Sequence, residues 1–468
     1  MSRKQPPKER SWNHSRLIKA DKAHCWHPFT PVADWEASEP LVIRSGKGVR
    51  LTDMEGKTYF DGTSSLWCAA LGHRHPRLDQ ALIEQAETIA HTTFLGMSHP
   101  QAILLADKLA SIAPPGLSRV FYSDSGATAV EIALKMAFQY HLQKAAPEPK
   151  RTRFMALTNA YHGDTLGDVS VGGVDRFHAM FRPLLFETVR AASPHCYRCP
   201  LRLERATCGI ACLDEARRTI DENAETLAAV VIEPLMQGAA GMIAHPPGYL
   251  AGIAEHCRSR GVLLIADEVA VGIGRTGTMF ACEHEEVSPD FLCLAKGLTG
   301  GYLPLAATLT TETVYDAFRG DSTDPKTFYH GHTFTGNPLG SAVALAVLEV
   351  FEEESILENV RTQAKQVTEV LHKSLSVSGC RIVGEIRQRG LMVGIELVAD
   401  RATKKPFDAS IRAGAKVCAF ARESGLLIRP LGDVVTFLPP LISTSGEIDA
   451  MLKILVESIE RFEKESPK

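Results

Sequence analysis

Residues 262–311 read VLLIADEVAVGIGRTGTMFACEHEEVSPDFLCLAKGLTGGYLPLAATLTT. Two apolar runs, Val262–Ala266 and Phe291–Ala295, have strand length and no helical periodicity. Each ends on a charged side chain, Asp267 or Lys296. A third run, Ala306–Thr310, follows directly. Short runs that are apolar throughout belong in a sheet covered on both faces. A carboxylate there is costly unless it meets a cation or hydrogen-bond donors. A partly desolvated lysine has a lowered pKa and offers the neutral amine that Schiff-base chemistry needs. As ends of neighbouring strands, Asp267 and Lys296 would face one crevice. Taken singly, Asp267 reads equally as a helix cap and Lys296 as a lysine reaching to solvent.

Working outward, further strands are expected at Arg119–Tyr122, Arg153–Thr158 and Ala228–Ile232. Leu78–Ala90 and Gln101–Ile112 read as helices, and helical stretches separate several of the strands. The fold class is therefore α/β, a mainly parallel sheet with helices on both faces. A long helix, Ser341–Glu354, is followed by more helix to about Val377. Strands at Met392–Val398 and Val434–Leu438, mixed with helices, predict a smaller α+β domain over 341–468. The large domain is expected over 76–340. Residues 1–75 hold an arm and a small sheet that pack with the smaller domain. The arm, to about residue 40, is polar and reads as irregular. Residues 41–61 alternate around glycine turns, an antiparallel signature.

Composition narrows the function. The chain has 468 residues, 45% hydrophobic and 23% charged, which is ordinary globular usage and excludes a disordered or fibrous protein. Lys and Arg number 51 against 55 Asp and Glu, so nothing draws the chain to nucleic acid. No apolar run reaches the ~18 residues of a membrane span. The basic start, MSRKQPPKERSWNHSR, leads into no apolar segment, and 11 cysteines suit a reducing, cytoplasmic setting.

Three more stretches bear chemistry. SDSGATAVEIALKMAFQY, residues 123–140, is a turn opening a helix. Its glycine and free helix N–H groups suit an anion at Gly126 and Ala127, although an ordinary Ser/Asp cap has the same look. Tyr161-His162-Gly163-Asp164 follows another strand end, where an aromatic can stack on a planar group or simply close a turn. Gly272–Gly277 matches G-x-G-x-x-G, but no amphipathic helix opens from it, so a dinucleotide site is rejected.

Together these stretches resemble the class III aminotransferases over about residues 20–460. HCWHPFT, AYHGDTLGDVSVG, FYHGHTFTGNPL and IRPLGDVVTFLPPL are similar to the branch that serves biotin synthesis. The resemblance implies the type I fold of pyridoxal 5′-phosphate enzymes and ping-pong transfer of an amino group. The implied acceptor is 8-amino-7-oxononanoate, converted to 7,8-diaminononanoate. By position, Lys296 matches the lysine that bonds to the cofactor and moves the proton. Asp267 matches the carboxylate on the pyridine nitrogen, and Tyr161 the aromatic on the ring beside the substrate. Gly126 and Ala127 match the phosphate cradle. Thr333, with His332 beside it, matches a phosphate ligand donated by a second subunit, which implies a homodimer with shared sites. Gly331 and Arg429 match substrate positions, Arg429 for the acceptor's carboxylate. Phe29, Leu66 beside Trp67, and Thr436 depart from members that use S-adenosylmethionine and resemble those that take lysine as donor. Ornithine- or 4-aminobutyrate-type aminotransferases and an aminomutase are the competing enzyme readings. A cofactor-sensing regulator would need a DNA-binding module, and the first 40 residues contain no helix-turn-helix.

HCYRCPLRLERATCGIACL, residues 195–213, stands apart. Cys196 and Cys199 have C-x₂-C spacing, and Cys208 and Cys212 lie four apart at a helix start, which puts them on one face. Four thiolates suit structural zinc or an iron–sulfur cluster. Four free thiols in a surface excursion fit the same spacing.

Overall fold

The computed structural model describes residues 12–376 and 380–466. A first sheet holds β1 (Ile43–Lys47), β2 (Arg50–Asp53) and β3 (Thr58–Asp61), paired antiparallel. The main sheet is built from β4 (Leu117–Ser123), β5 (Arg153–Leu157), β6 (Thr188–Ala191) and β7 (Leu227–Ile232). After a short hairpin, β8 (Met236–Gln237) and β9 (Ile243–Ala244), it is completed by three more strands. These are β10 (Leu263–Asp267), β11 (Phe291–Leu294) and β12 (Ala306–Thr311).

The seven strands run in the order β4-β12-β11-β10-β7-β5-β6. Only β12 is antiparallel to its neighbours. Every residue of β7, β10 and β11 is buried, as the unbroken apolar runs require. This is the expected α/β architecture. The strand β6 was not legible: Thr-Val-Arg-Ala is short, half polar and lies on the sheet edge.

Beyond the main sheet, β13 (Val383–Arg389), β14 (Met392–Leu397), β16 (Arg429–Leu431) and β17 (Val434–Phe437) form an antiparallel sheet. The two-residue β15 (Leu426–Leu427) instead joins β3 in parallel, pairing Leu426 with Phe60. The fully buried Arg275 ties the regions together, donating to Pro439 O at 2.7 Å, Leu391 O at 3.3 Å and Ser64 Oγ at 3.3 Å. Its loop, Gly272–Gly277, is thus a structural linchpin and not a nucleotide loop.

One expectation needs correction. The arm contains helices at His14–His24 and Val32–Ala37. Neither buries a residue, so no apolar period announces them. They form through local polar contacts: Asn13 Oδ1 accepts from Arg16 N at 2.9 Å, and Asp21 accepts from Trp35 Nε1 at 3.0 Å. The long C-terminal helical stretch is two helices, Pro338–Glu353 and Ile356–Leu371, broken where Ser355 turns left-handed (φ 52°). Val377 lies outside the described residues.

A buried charge cluster fastens β13 and β14 to the hairpin. Arg387 donates to Glu396, to Glu385 Oε2 at 2.8 Å and to Gly241 O at 2.7 Å, and is 5% exposed. Removing one partner of such a pair strands the other charge. Arg387→Met is expected to lose on the order of 3 kcal/mol, read from urea unfolding. Adding Glu396→Met should restore part of that loss. A double variant weaker than the single would contradict this account.

Candidate active site

The site lies where β5, β7, β10 and β11 end. Asp267 pairs in register with Cys293, so β10 and β11 deliver Asp267 and, three residues past Cys293, Lys296 to one crevice. A cavity of about 680 Å³ is lined there by Trp67, Gly126, Ala127, Tyr161, Asp267 and Lys296, among others.

Lys296 adopts a left-handed conformation (φ 44°), which costs a non-glycine residue energy and is typical of functional positions. The turn carries its side chain over Trp67, with Nζ 5.2 Å from the ring centroid. Burial lowers the pKa of the Lys296 amine, outweighing Asp267 and Glu233, which raise it. Asp267 is 5% exposed and doubly held. His162 Nδ1 donates to its Oδ2 at 2.7 Å, and Val269 N to its Oδ1 at 3.0 Å. The adjacent Glu268 serves otherwise: it turns away to accept from Ala281 N at 2.6 Å and Cys282 N at 2.7 Å.

The phosphate end of such a site needs unbonded N–H groups. Helix Gly126–Gln143 opens with a capping box in which Ser125 Oγ takes Thr128 N at 3.3 Å. That leaves Gly126 N and Ala127 N without an acceptor among the described residues. Neither Gly126 nor Gly163 has room for a larger side chain. A Cβ on Gly126 would meet Val269 Cγ1 at 2.4 Å, and one on Gly163 would meet Asp168 Oδ2 at 2.3 Å.

Tyr161 closes the cavity opposite, its hydroxyl donating to Asp164 Oδ2 at 2.8 Å. Among the described residues, the buried His162 Nε2 and Trp67 Nε1 at this site have no hydrogen-bond partner. A partly buried amine, an anchored carboxylate, two free helix N–H groups and aromatic walls fit pyridoxal phosphate.

The remaining expected residues lie outside this cavity. Phe29 is 56% exposed and packs edge-on against Phe177, which in turn meets Tyr161. Leu66 is half-exposed, Gly331 and Thr333 are exposed, and His332 Nδ1 lies 2.8 Å from Asp124 Oδ2 at the rim. Arg429 is exposed on β16, its carbonyl accepting from Thr436 Oγ1 at 2.7 Å. Glu233 was missed. It sits just past β7 and accepts from Tyr161 N at 3.1 Å and Gly238 N at 2.8 Å. Its signal was available: like Asp267, it ends an apolar strand. The metal expectation is not met as stated. Cys208 precedes helix Ala211–Asn223 and shares no helical face with Cys212, because Gly209 and Ile210 both turn left-handed.

Residues 32–459 match the family described as Aminotransferase class-III. The chain belongs to that family and is a pyridoxal-phosphate-dependent aminotransferase. Adenosylmethionine-8-amino-7-oxononanoate aminotransferase of Nitratidesulfovibrio vulgaris is 53% identical over 438 residues, 94% of this chain and 80% of its own. The same-named protein of Geobacter sulfurreducens is 51% identical over 94% of this chain and 96% of its own. The crystal structure of the Methanocaldococcus jannaschii protein of that name superposes with a TM-score of 0.90 at 43% identity, covering 96% of this chain and 99% of its own. An ω-transaminase of Pseudomonas jessenii in complex with PMP gives 0.91 at 33% identity, over 96% of this chain and 98% of its own.

Burial pushes Glu233 up to about 7 from 4.5, with Asp267 adding to the rise and His162 and the two N–H bonds opposing it. A pKa raised on folding stabilises the native state at low pH. That contribution is complete below the unfolded value and fades as pH rises through about 7. Glu268 follows the same course. Stability of the apoenzyme should therefore fall between pH 4.5 and 7. Glu233→Gln should reduce the slope by up to ~1.4 kcal/mol per pH unit, read from urea midpoints across that range. An unchanged slope would refute the assignment.

Proposed function

We propose that this aminotransferase converts 8-amino-7-oxononanoate to 7,8-diaminononanoate in biotin biosynthesis. The observation that carries the proposal is identity of about half across 94% of the chain to proteins bearing that name, from two organisms. The delivery of Lys296 and Asp267 to one cavity by adjacent parallel strands supports the chemistry.

Pyridoxal phosphate, when bound, supplies an electron sink for the carbon that loses its proton. Asp267 would hold the protonated ring nitrogen, its carboxylate oriented by His162 Nδ1–H and Val269 N–H. Gly126 N and Ala127 N would receive the phosphate. Tyr161 would bound the ring face and the substrate. Lys296, with its amine pKa lowered by burial, accepts the proton from the donor carbon and returns it from the same Nζ. Trp67 lies against that amine and keeps bulk water from it.

The proposal extends to a homodimer. Gly331 and Thr333 are exposed and outside the chain's own cavity, which suits service in the site of a second copy. Arg429 makes no ion pair among the described residues and is free to take the acceptor's carboxylate. The donor is S-adenosylmethionine or lysine. The relatives' names favour the first, and Phe29, Leu66 and Thr436 the second.

Turnover with 8-amino-7-oxononanoate and each donor in turn tests the reading. One donor should support the reaction, and Lys296→Ala should abolish it while the protein still binds the cofactor. Arg429→Ala should raise KM for the acceptor far more than it lowers kcat. Activity with 4-aminobutyrate or ornithine, and none with the oxononanoate, would move the function to another ω-amine.

A further inference from the structure

The excursion between β6 and helix Ala211–Asn223 lies apart from the Lys296 cavity, which none of its residues borders. It nevertheless has a cavity of its own, of about 280 Å³, walled by Cys196, Cys199, Cys208 and Cys212 together. All four are free thiols of intermediate burial. Their hydrogen bonding is poor. Cys196 Sγ reaches Pro194 O at 3.9 Å and Cys208 Sγ reaches Arg205 O at 3.7 Å.

The backbone around them is bent in an unusual way. Arg202, Gly209 and Ile210 are all left-handed, and Ile210 is β-branched, for which this conformation is a true outlier. Ile210 is the cap residue of helix Ala211–Asn223 and supplies no side-chain acceptor. Cys212 stands in the first turn of that helix. Arg205 lines the same cavity and makes no ion pair among the described residues.

We propose that Cys196, Cys199, Cys208 and Cys212 hold one zinc ion as a tetrathiolate, fastening the excursion to the body of the protein. Zinc takes four thiolates tetrahedrally, and C-x₂-C with a second close pair is spacing such sites use. Each Zn–S bond replaces an S–H bond, so four protons leave as one Zn²⁺ enters. The site then has a charge of −2, half of which the one Arg205 guanidinium offsets.

Among the described residues no three of these sulfurs come within 4.8 Å of one another. Closing them around zinc requires side-chain rotation, and a step between staggered χ1 wells moves a sulfur by about 3 Å. The group that does converge, His195, Glu385 and Glu396, is already satisfied by the guanidinium of Arg387, which donates to both glutamates. A cation there would have to displace a buried arginine.

The test uses the holoenzyme purified under reducing conditions with zinc present. One zinc per chain should survive gel filtration. Cobalt(II) exchanged into the wild-type protein should give the strong visible bands of a tetrahedral thiolate site. Cys199→Ser and Cys208→Ser should each lower the bound zinc at least tenfold, with turnover within about twofold of wild type. The wild-type cobalt spectrum stands even if a variant fails to fold. Absence of retained zinc, with a cobalt spectrum lacking thiolate bands, overturns the proposal. So does iron with acid-labile sulfide at the site, since the same thiolates would then serve a cluster.

Discussion

Two groups of opposite charge, Asp267 and Lys296, stand at the carboxyl ends of adjacent strands whose other residues are all buried. Neither would be tolerated alone in that setting. Their proximity limits the cost, but burial still prevails at the amine, which is the condition proton transfer needs. The constraint spreads outward. Asp267 stays oriented because His162 and Val269 donate to it. Tyr161, next to His162, is held through its backbone by Glu233. Moving any of these alters the charge balance at Lys296.

The same strand end separates two neighbouring carboxylates by task. Asp267 faces the cavity, and Glu268 faces the backbone of 281–282. Glu268 thereby fixes the loop that presents Arg275, which reaches the segments of the second antiparallel sheet. One turn in the chain thus couples the chemistry of the crevice to the joining of two sheets.

Much of this was legible in the amino-acid sequence, for a physical reason. Apolar runs of strand length that end in a charge violate the ordinary economy of a core, and that violation is local in sequence. Asp267, Lys296 and the helix opening at Gly126 stood out on this ground. The pairing of His162 with Asp267 spans 105 residues, and no local pattern contains it. The helices at His14–His24 and Val32–Ala37 bury nothing, so the apolar period that reveals most helices was missing. The bend at Gly209 and Ile210 escaped for the opposite reason, since isoleucine argues against a left-handed turn. Gly331, Thr333 and Arg429 rested on family resemblance alone, and one chain does not bring them to the cavity.

The parallel pairing of β3 with β15 has a consequence for biosynthesis. Beside it Lys57 Nζ donates to Glu423 O, 366 residues further along the chain. At ribosomal rates of ~5–20 residues per second, that interval is roughly 20–70 s. Throughout it the nascent β1–β3 sheet presents an uncovered edge, a template for association with other chains. The edge that waits is that of β3, only four residues long, which keeps the template small.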